Sequence, residues 1–275
     1  MTTFQQYAKN TPFILSAYRN VRTVIGFLGI DFNKAITNLS GIRWYVKDYR
    51  KLKSQLKNQT NFPITQFRPF LFEKKDSSGV ASGDYFHQDL FVARRIFENN
   101  PKKHADVGSR IDGFVAHVAC FREIEVFDIR PLISSLKNIK FIQADLMQMR
   151  PELIECTDSL SCLHAIEHFG LGRYGDPIDS DGHLKGLESL FQMLTIGGKF
   201  YFSTPIGKQR IEFNAHRVFS VQYLLNLFID KYEIDGFSYV DDKEQMHENV
   251  ELNQSNIDDN FGCFYGCGIF ELTKK

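Results

Sequence analysis

HADVGSRIDGFVAHV, residues 104–118, is the stretch that decides the fold. Its first half reads as a short strand that stops at Gly108, and its second half carries apolar residues at helical spacing. A strand that turns through glycine directly into a helix opens a βαβ unit, so the following sequence should keep alternating. IEVFDI reads as a second strand, KFIQADL as a third after a short crossover, and DSLSCL as a fourth. GHLKGLESLFQML then reads as a helix stopped by IGG, and KFYFSTP as a fifth strand. VFSVQYLLNLFID is helical, KYEIDGFSYV and GCFYGCGIFELTK form a strand pair, and upstream DLFVARRIFENN is another helix. The alternation predicts an α/β domain over residues 81–275: a doubly wound, mostly parallel sheet with helices on both faces.

Residues 1–80 read differently. Ile14, Tyr18, Val21, Ile25 and Leu28 repeat at helical spacing, as do Ile42, Tyr45, Tyr49, Leu52 and Leu56. FPITQFRPFLFEKKDSSG is punctuated by Pro and ends in a turn cluster, so the region is expected to be a helical extension followed by a linker. The other face of the second helix, in KDYRKLKSQLKN, is basic; it reads as a solvated face, with attraction to an anionic substrate or lipid surface as the alternative. A composition of 43% hydrophobic and 24% charged residues at zero net charge is that of a soluble globular protein, without the Lys and Arg excess of a nucleic-acid binder. The run from Phe13 to Leu28 is interrupted by Arg19 and Arg22, so no membrane span is expected. MTTFQQYAKNTPF lacks a basic start followed by an apolar run, which points to a cytoplasmic protein. The five cysteines are scattered and read as reduced core residues; Cys263 and Cys267, four apart on one strand face, lack the second pair a structural metal needs.

In an open parallel sheet, ligands bind beyond the carboxyl ends of the strands. Those ends are Asp106 with Gly108-Ser109-Arg110-Ile-Asp112-Gly113, then Asp128-Ile129-Arg130, then Asp145-Leu146, then His164 to His168. A dinucleotide site would have glycine where Arg110 stands, to clear space for a pyrophosphate, so a nucleotide-dependent oxidoreductase is disfavoured. A cofactor without pyrophosphate tolerates that turn, and S-adenosylmethionine is one. Asp128, twenty residues past Gly108, is spaced to accept from both ribose hydroxyls, and Asp145 to accept from an adenine amino group.

These segments, with DSLSCLHAIEHFGLGRYGDP and LTIGGKFYFSTPIG, resemble the Rossmann-like class I S-adenosylmethionine-dependent methyltransferases over roughly residues 83–272. More narrowly they resemble the DUF268 group, methyltransferase-like proteins of nematodes and bacteria. The resemblance implies a class I methyltransferase fold, S-adenosylmethionine as cofactor, and cofactor contacts at the strand-end residues above, joined by Tyr85 and Gln88 of GDYFHQDL. It departs from the superfamily at Arg110, and at Thr195-Ile196 where Lys-Pro is common. If Arg110 filled the cofactor space, a non-catalytic cofactor-binding or scaffold protein would be the better reading.

His164-Ala-Ile-Glu167-His168 also matches the H-x-x-E-H pattern of a class of zinc peptidases. That chemistry needs a helix through the pattern, whereas here it follows a strand and runs into the glycine-punctuated loop Gly170 to Pro177. In the methyltransferase reading, His164 lies beside the methionine part of the cofactor. His164 or His168 is the candidate general base and Glu167 its orienting partner; a metal-assisted variant would recruit Glu167, His168 and His183 or Asp176. The alternative is that Glu167 and a histidine only brace the loop. Arg173, Tyr174, His216 and Arg217 form the expected substrate wall, suited to a phosphate-bearing or carboxylate-bearing acceptor, with surface salt bridges as the alternative. The expected acceptor is a small polar or sugar-linked molecule, in bacterial surface-glycan (capsule or O-antigen) assembly by fold analogy. The N-terminal helices are expected to cap the site or to form a homodimer.

Overall fold

The computed structural model describes residues 32–56, 61–71, 73–75 and 78–275. The helix expected over Ile14 to Leu28 lies outside the described residues. The chain divides into two compact units, Met1–Val80 and Ala81–Lys275. In the first, helix α1 (Phe32–Gln55) covers the second predicted helical pattern and extends it towards the N-terminus. The segment after it folds back along α1. Phe67 packs edge-on against Tyr49 at 5.2 Å, and Lys74 pairs with Asp48 at 2.6 Å while lying over the Trp44 ring.

The second unit is built on an eight-stranded sheet in the order β3-β2-β1-β4-β5-β10-β8-β9. Its strands are β1 (His104–Val107), β2 (Ile124–Asp128), β3 (Ile139–Gln143), β4 (Thr157–Leu163), β5 (Leu194–Ile206), β8 (Tyr232–Val240), β9 (Met246–His247) and β10 (Gly266–Lys274). The first five are parallel, and β10 inserts antiparallel between β5 and β8. This is a Rossmann-like fold, with the mainly parallel sheet that the alternation of strands and helices predicts. Helix α2 (Asp84–Asn99) and α3 (Ala116–Ala119), which continues a wide turn at Ile111–Val115, cover one face through Phe91, Val92, Ile96, Phe114 and Val118. Helices α4 (Gly182–Met193) and α5 (Val221–Phe228) cover the other through Leu190, Met193, Leu224 and Phe228. Strands β1, β2 and β4, sandwiched between both layers, are buried almost continuously, and their polar residues His104, Asp106, Ser159 and Ser161 hydrogen-bond to one another within that interior. Edge strand β3 is only partly covered.

Three features differ from the expectations. IGG belongs to β5 and not to a loop after the helix, with Gly197 at a positive φ and the register against β4 shifting between Thr157 and Ser159. Helix α2 starts at Asp84, so GDYFHQDL is its first turns and not a separate segment. A hairpin of β6 (Arg210–Glu212) and β7 (His216–Val218) rises from the end of β5 and carries FNAHRVFS. Because the strand order reverses between β1 and β4, their carboxyl ends open onto a crevice.

Candidate active site

That crevice is a cleft of about 550 Å³, counted to its open mouth, between the ends of β1 to β4 and the loop that follows β4. Gly108 turns the chain out of β1 at φ +76°, and a Cβ there would lie 2.7 Å from the Cβ of Ala165 at the end of β4. Only glycine allows this approach, so the motif's first glycine closes the floor of the cleft. Gly113 answers a different need. A Cβ on it would come within 2.9 Å of Asp89 Oδ2 on α2, so it lets the turn pack against that helix.

The residues expected to hold a cofactor separate into two groups. Gly108, Asp128, Ile129, Arg130, Asp145, Leu146 and His164 line the cleft. Asp128 accepts from Arg130 Nε at 3.0 Å and Nη2 at 2.6 Å, and the Arg130 guanidinium lies 4.4 Å from the centre of the Tyr174 ring. Asp145 accepts from Met147 N at 2.9 Å through Oδ1. The other residues lie outside it. Asp106 is fully buried and accepts from Ser109 N at 3.1 Å, Ser109 Oγ at 2.8 Å and Ser161 Oγ, so Asp106 and Ser109 brace the turn from behind. Burial pushes the Asp106 carboxyl up to about 7, against those three donors. Gln88 is buried too, accepting from Ser203 Oγ and donating to Asp89, which fixes α2 to β5. Arg110 does not line the cleft. Its guanidinium is 65% exposed and forms a two-point pair with Asp112, also exposed. Tyr85 remains beside the site, its ring 5.1 Å from that of His164.

His164 follows β4 with a positive φ of 49°, held there by its N–H donating to Ser203 O. Glu167 lies in the 3-10 turn Ile166–His168, 1% exposed, with Oε1 3.2 Å from His164 Nδ1 and Oε2 accepting from Thr204 Oγ1. Burial opposes charge on His164, but Cys267 and the Glu167 carboxylate outweigh it and raise its pKa well above 6.5. Burial also raises the neighbouring thiol above its ordinary value, so at neutral pH it is uncharged and Glu167 is the group that sustains the imidazolium. Burial likewise opposes the Glu167 charge, yet His164 holds its pKa below the ordinary value. His168 behaves in the opposite way. Its Nδ1 donates to Ala215 O at 2.7 Å and burial lowers its pKa, so Nε2 carries the lone pair, 3.8 Å from Glu167. Two histidines four residues apart thus sit in different protonation states.

Among the residues expected in a substrate wall, Tyr174 lines the cleft and Arg173 donates to Ala215 O beside His168. His216, on β7, lies with its ring 6.4 Å from that of His168 and 5.1 Å from that of Tyr265. Arg217 is not available to a substrate. It is 5% exposed, and its guanidinium donates to the carbonyls of Glu167, Phe169, Asp179 and Ser180, clamping both ends of the loop. Asp176 organises that loop from within by accepting from the backbone N–H groups of Gly170, Gly172 and Tyr174. His183 is turned to Tyr223 OH at 2.9 Å. Among the described residues no three His, Cys, Asp or Glu side chains converge as metal ligands. The apolar lining, Phe127, Ala144, Met147, Ala165 and Phe169, went unnoticed in the sequence. Phe127, Ala144 and Met147 flank the strand-end acids, and that adjacency is the signal that could have found them.

Solved structures similar to this chain include the [4+2]-cyclase SpnF, at 12% identity and TM-score 0.49 over 72% of this chain and 85% of that one. Another is the 1,6-didemethyltoxoflavin-N1-methyltransferase of Burkholderia thailandensis with bound 1,6-didemethyltoxoflavin and S-adenosylhomocysteine, at 11% and 0.49 over 68% and 78%. A third is the N-methyltransferase NodS of Bradyrhizobium japonicum WM9 in complex with S-adenosylhomocysteine, at 11% and 0.46 over 82% and 97%. No curated protein matches. The family model for DUF268, described as a Caenorhabditis protein of unknown function, matches residues 122–262, just over half of the sequence, and the chain belongs to the DUF268 family.

Proposed function

We propose that this protein is an S-adenosylmethionine-dependent methyltransferase acting on a small polar or sugar-linked acceptor. The observation that carries the reading is the convergence of Asp128, Asp145 and His164, from the ends of β2, β3 and β4, on one cleft behind the Gly108 turn. The residues suit the cofactor's parts. Asp128 accepts from ribose hydroxyls once these replace the Arg130 donors, Phe127, Ala144, Leu146 and Met147 surround an adenine, and Asp145 accepts from its amino group. Met147 N–H already holds one Asp145 oxygen in place. The exposed Arg110–Asp112 pair leaves that space open, which weighs against the scaffold reading.

S-adenosylmethionine supplies a methyl group already activated on a sulfonium. The protein therefore needs mainly to position the acceptor, exclude water and receive a proton. His168 is the base in this reading, because its Nε2 is unprotonated while Ala215 O fixes the tautomer. His164, kept protonated by Glu167, stands at the cleft wall and adds positive charge beside the place where the methyl group is transferred. Arg173 and Arg130, flanking Tyr174, suit an acceptor that carries a phosphate or carboxylate. A role in surface-glycan assembly is compatible with such an acceptor. Titration calorimetry with S-adenosylmethionine, S-adenosylhomocysteine and NAD tests the reading. Micromolar binding of the first two, lost in Asp128→Ala, is expected; binding of NAD alone, or of none, would sink it.

A further inference from the structure

The zero net charge of the chain hides a division. Residues 1–80 hold 13 Lys and Arg against 4 Asp and Glu, a net of +9, which leaves residues 81–275 with 20 against 29, a net of −9. The change of sign coincides with the boundary between the two compact units. The site reading makes no use of it. Charge asymmetry of this size between halves of a chain points to an anionic partner for the basic half.

A second observation concerns apolar side chains. On α1, Leu39 is 68% exposed, and Ile42, Val46 and Leu52 are exposed with it. With Tyr49 they fall within an arc of roughly 140° on an ideal helix, and Arg43, Lys47, Arg50 and Lys51 occupy the arc next to it. The helix has a single acid, Asp48, which pairs with Lys74. In the segment that folds back, Phe62 is 82% exposed and Phe67 and Phe70 are exposed too. A groove between the two is lined by Tyr49, Phe62 and Ile64, with Arg50 and Lys53 among its walls. Phosphates alone would account for the cations and some aromatic rings, but not for a row of aliphatic side chains in water. An apolar stripe flanked by Lys and Arg, with Tyr49 within it, is what lies flat in the headgroup region of a bilayer.

We infer that the N-terminal unit docks the protein on an anionic lipid surface, with α1 parallel to the membrane plane and the α/β unit left in water. No helix among the described residues is long and apolar enough to cross a membrane, so the contact is peripheral. Full-length protein is floated with vesicles of phosphatidylcholine alone or with about 30% phosphatidylglycerol. Binding to the anionic vesicles only is expected, with release as salt is raised to about 0.5 M. Each basic residue near the surface contributes about fivefold, so R43E/K47E/R50E/K51E should lose binding by more than about a hundredfold. L39S/I42S/V46S should lose it at low salt as well. The salt series on the unaltered protein decides the matter even if a variant misfolds. No flotation, equal flotation with neutral vesicles, or binding of DNA in place of vesicles would overturn the proposal. So would self-association abolished by the charge reversal without vesicle binding, which would identify the acidic unit of a second copy as the partner.

Discussion

His164 shows how much of a site depends on one residue's surroundings. A non-glycine residue at φ 49° is strained by about 1–2 kcal/mol, and here the Ser203 carbonyl and the Glu167 carboxylate hold it. We expect His164 to titrate above the ordinary histidine range and His168 below it in an NMR pH titration of the imidazole nitrogens. Glu167→Gln should bring His164 down below 6.5, since burial then acts without the carboxylate that offsets it. A His164 that titrates normally in the unaltered protein would refute the buried pair. Arg217 gives a second test. Arg217→Met leaves several loop carbonyls without a donor and should cost about 3 kcal/mol in urea unfolding, with Arg217→Lys losing less. An unaltered midpoint in Arg217→Met would remove the clamp. HAIEH displayed its titratable residues in the sequence, but not which histidine is charged. That depends on the Ala215 carbonyl, 47 residues further along, and on burial that no local pattern encodes.

The elements were legible where period and punctuation agree. β1 stops at Gly108 and β2 at Asp128, β4 lies between turn residues and the HAIEH segment, and α4 has a clean helical stripe, so each was placed correctly. IGG misled because glycine normally marks a helix end, whereas here the chain enters β5 at once and absorbs the glycine in a register shift against β4. The β6–β7 hairpin was missed because strands of three residues hold too little sequence to show alternation. That hairpin matters to the site, since it carries Ala215, His216 and Arg217 to the loop after β4. At the first strand-to-helix turn, Gly108→Ala tests whether the cleft floor needs the close approach of β1 and β4. Left-handed strain of about 1–2 kcal/mol, added to displacement of Ala165, should weaken S-adenosylmethionine binding at least about tenfold while the far-ultraviolet spectrum is kept. Unchanged affinity would mean that this turn does not shape the pocket.

Across the whole molecule, buried ionisable groups set how stability varies with pH. His104, hydrogen-bonded to Ser159 and Ser161 between β1 and β4, is pushed by burial down to about 3, and His183 to about 4. The unfolded chain binds more protons at these positions below pH 6.5, so they contribute stability at neutral pH that is lost as the pH falls. Asp106 and Asp89 act with the opposite sign. Burial raises them to about 7 and about 6, so the native state keeps protons that the unfolded chain releases near 3.8, and their contribution is lost as the pH rises. The two sets oppose each other between about pH 4 and 6.5. Above that the histidines are neutral in both states, while Asp106 still loses its proton near 7. His164, raised above 6.5, loses its own later. The slope above pH 6.5 is therefore downward: the urea midpoint, followed by far-ultraviolet circular dichroism, should be highest near about pH 6 and lower at about pH 8. Asp106→Asn, uncharged at every pH, should flatten the descent around pH 7, and Glu167→Gln the part above it. A midpoint that climbs steadily from about pH 6 to 8, or an Asp106→Asn profile parallel to that of the unaltered protein, would mean that the carboxyl behind the Gly108 turn is ionised in the native fold.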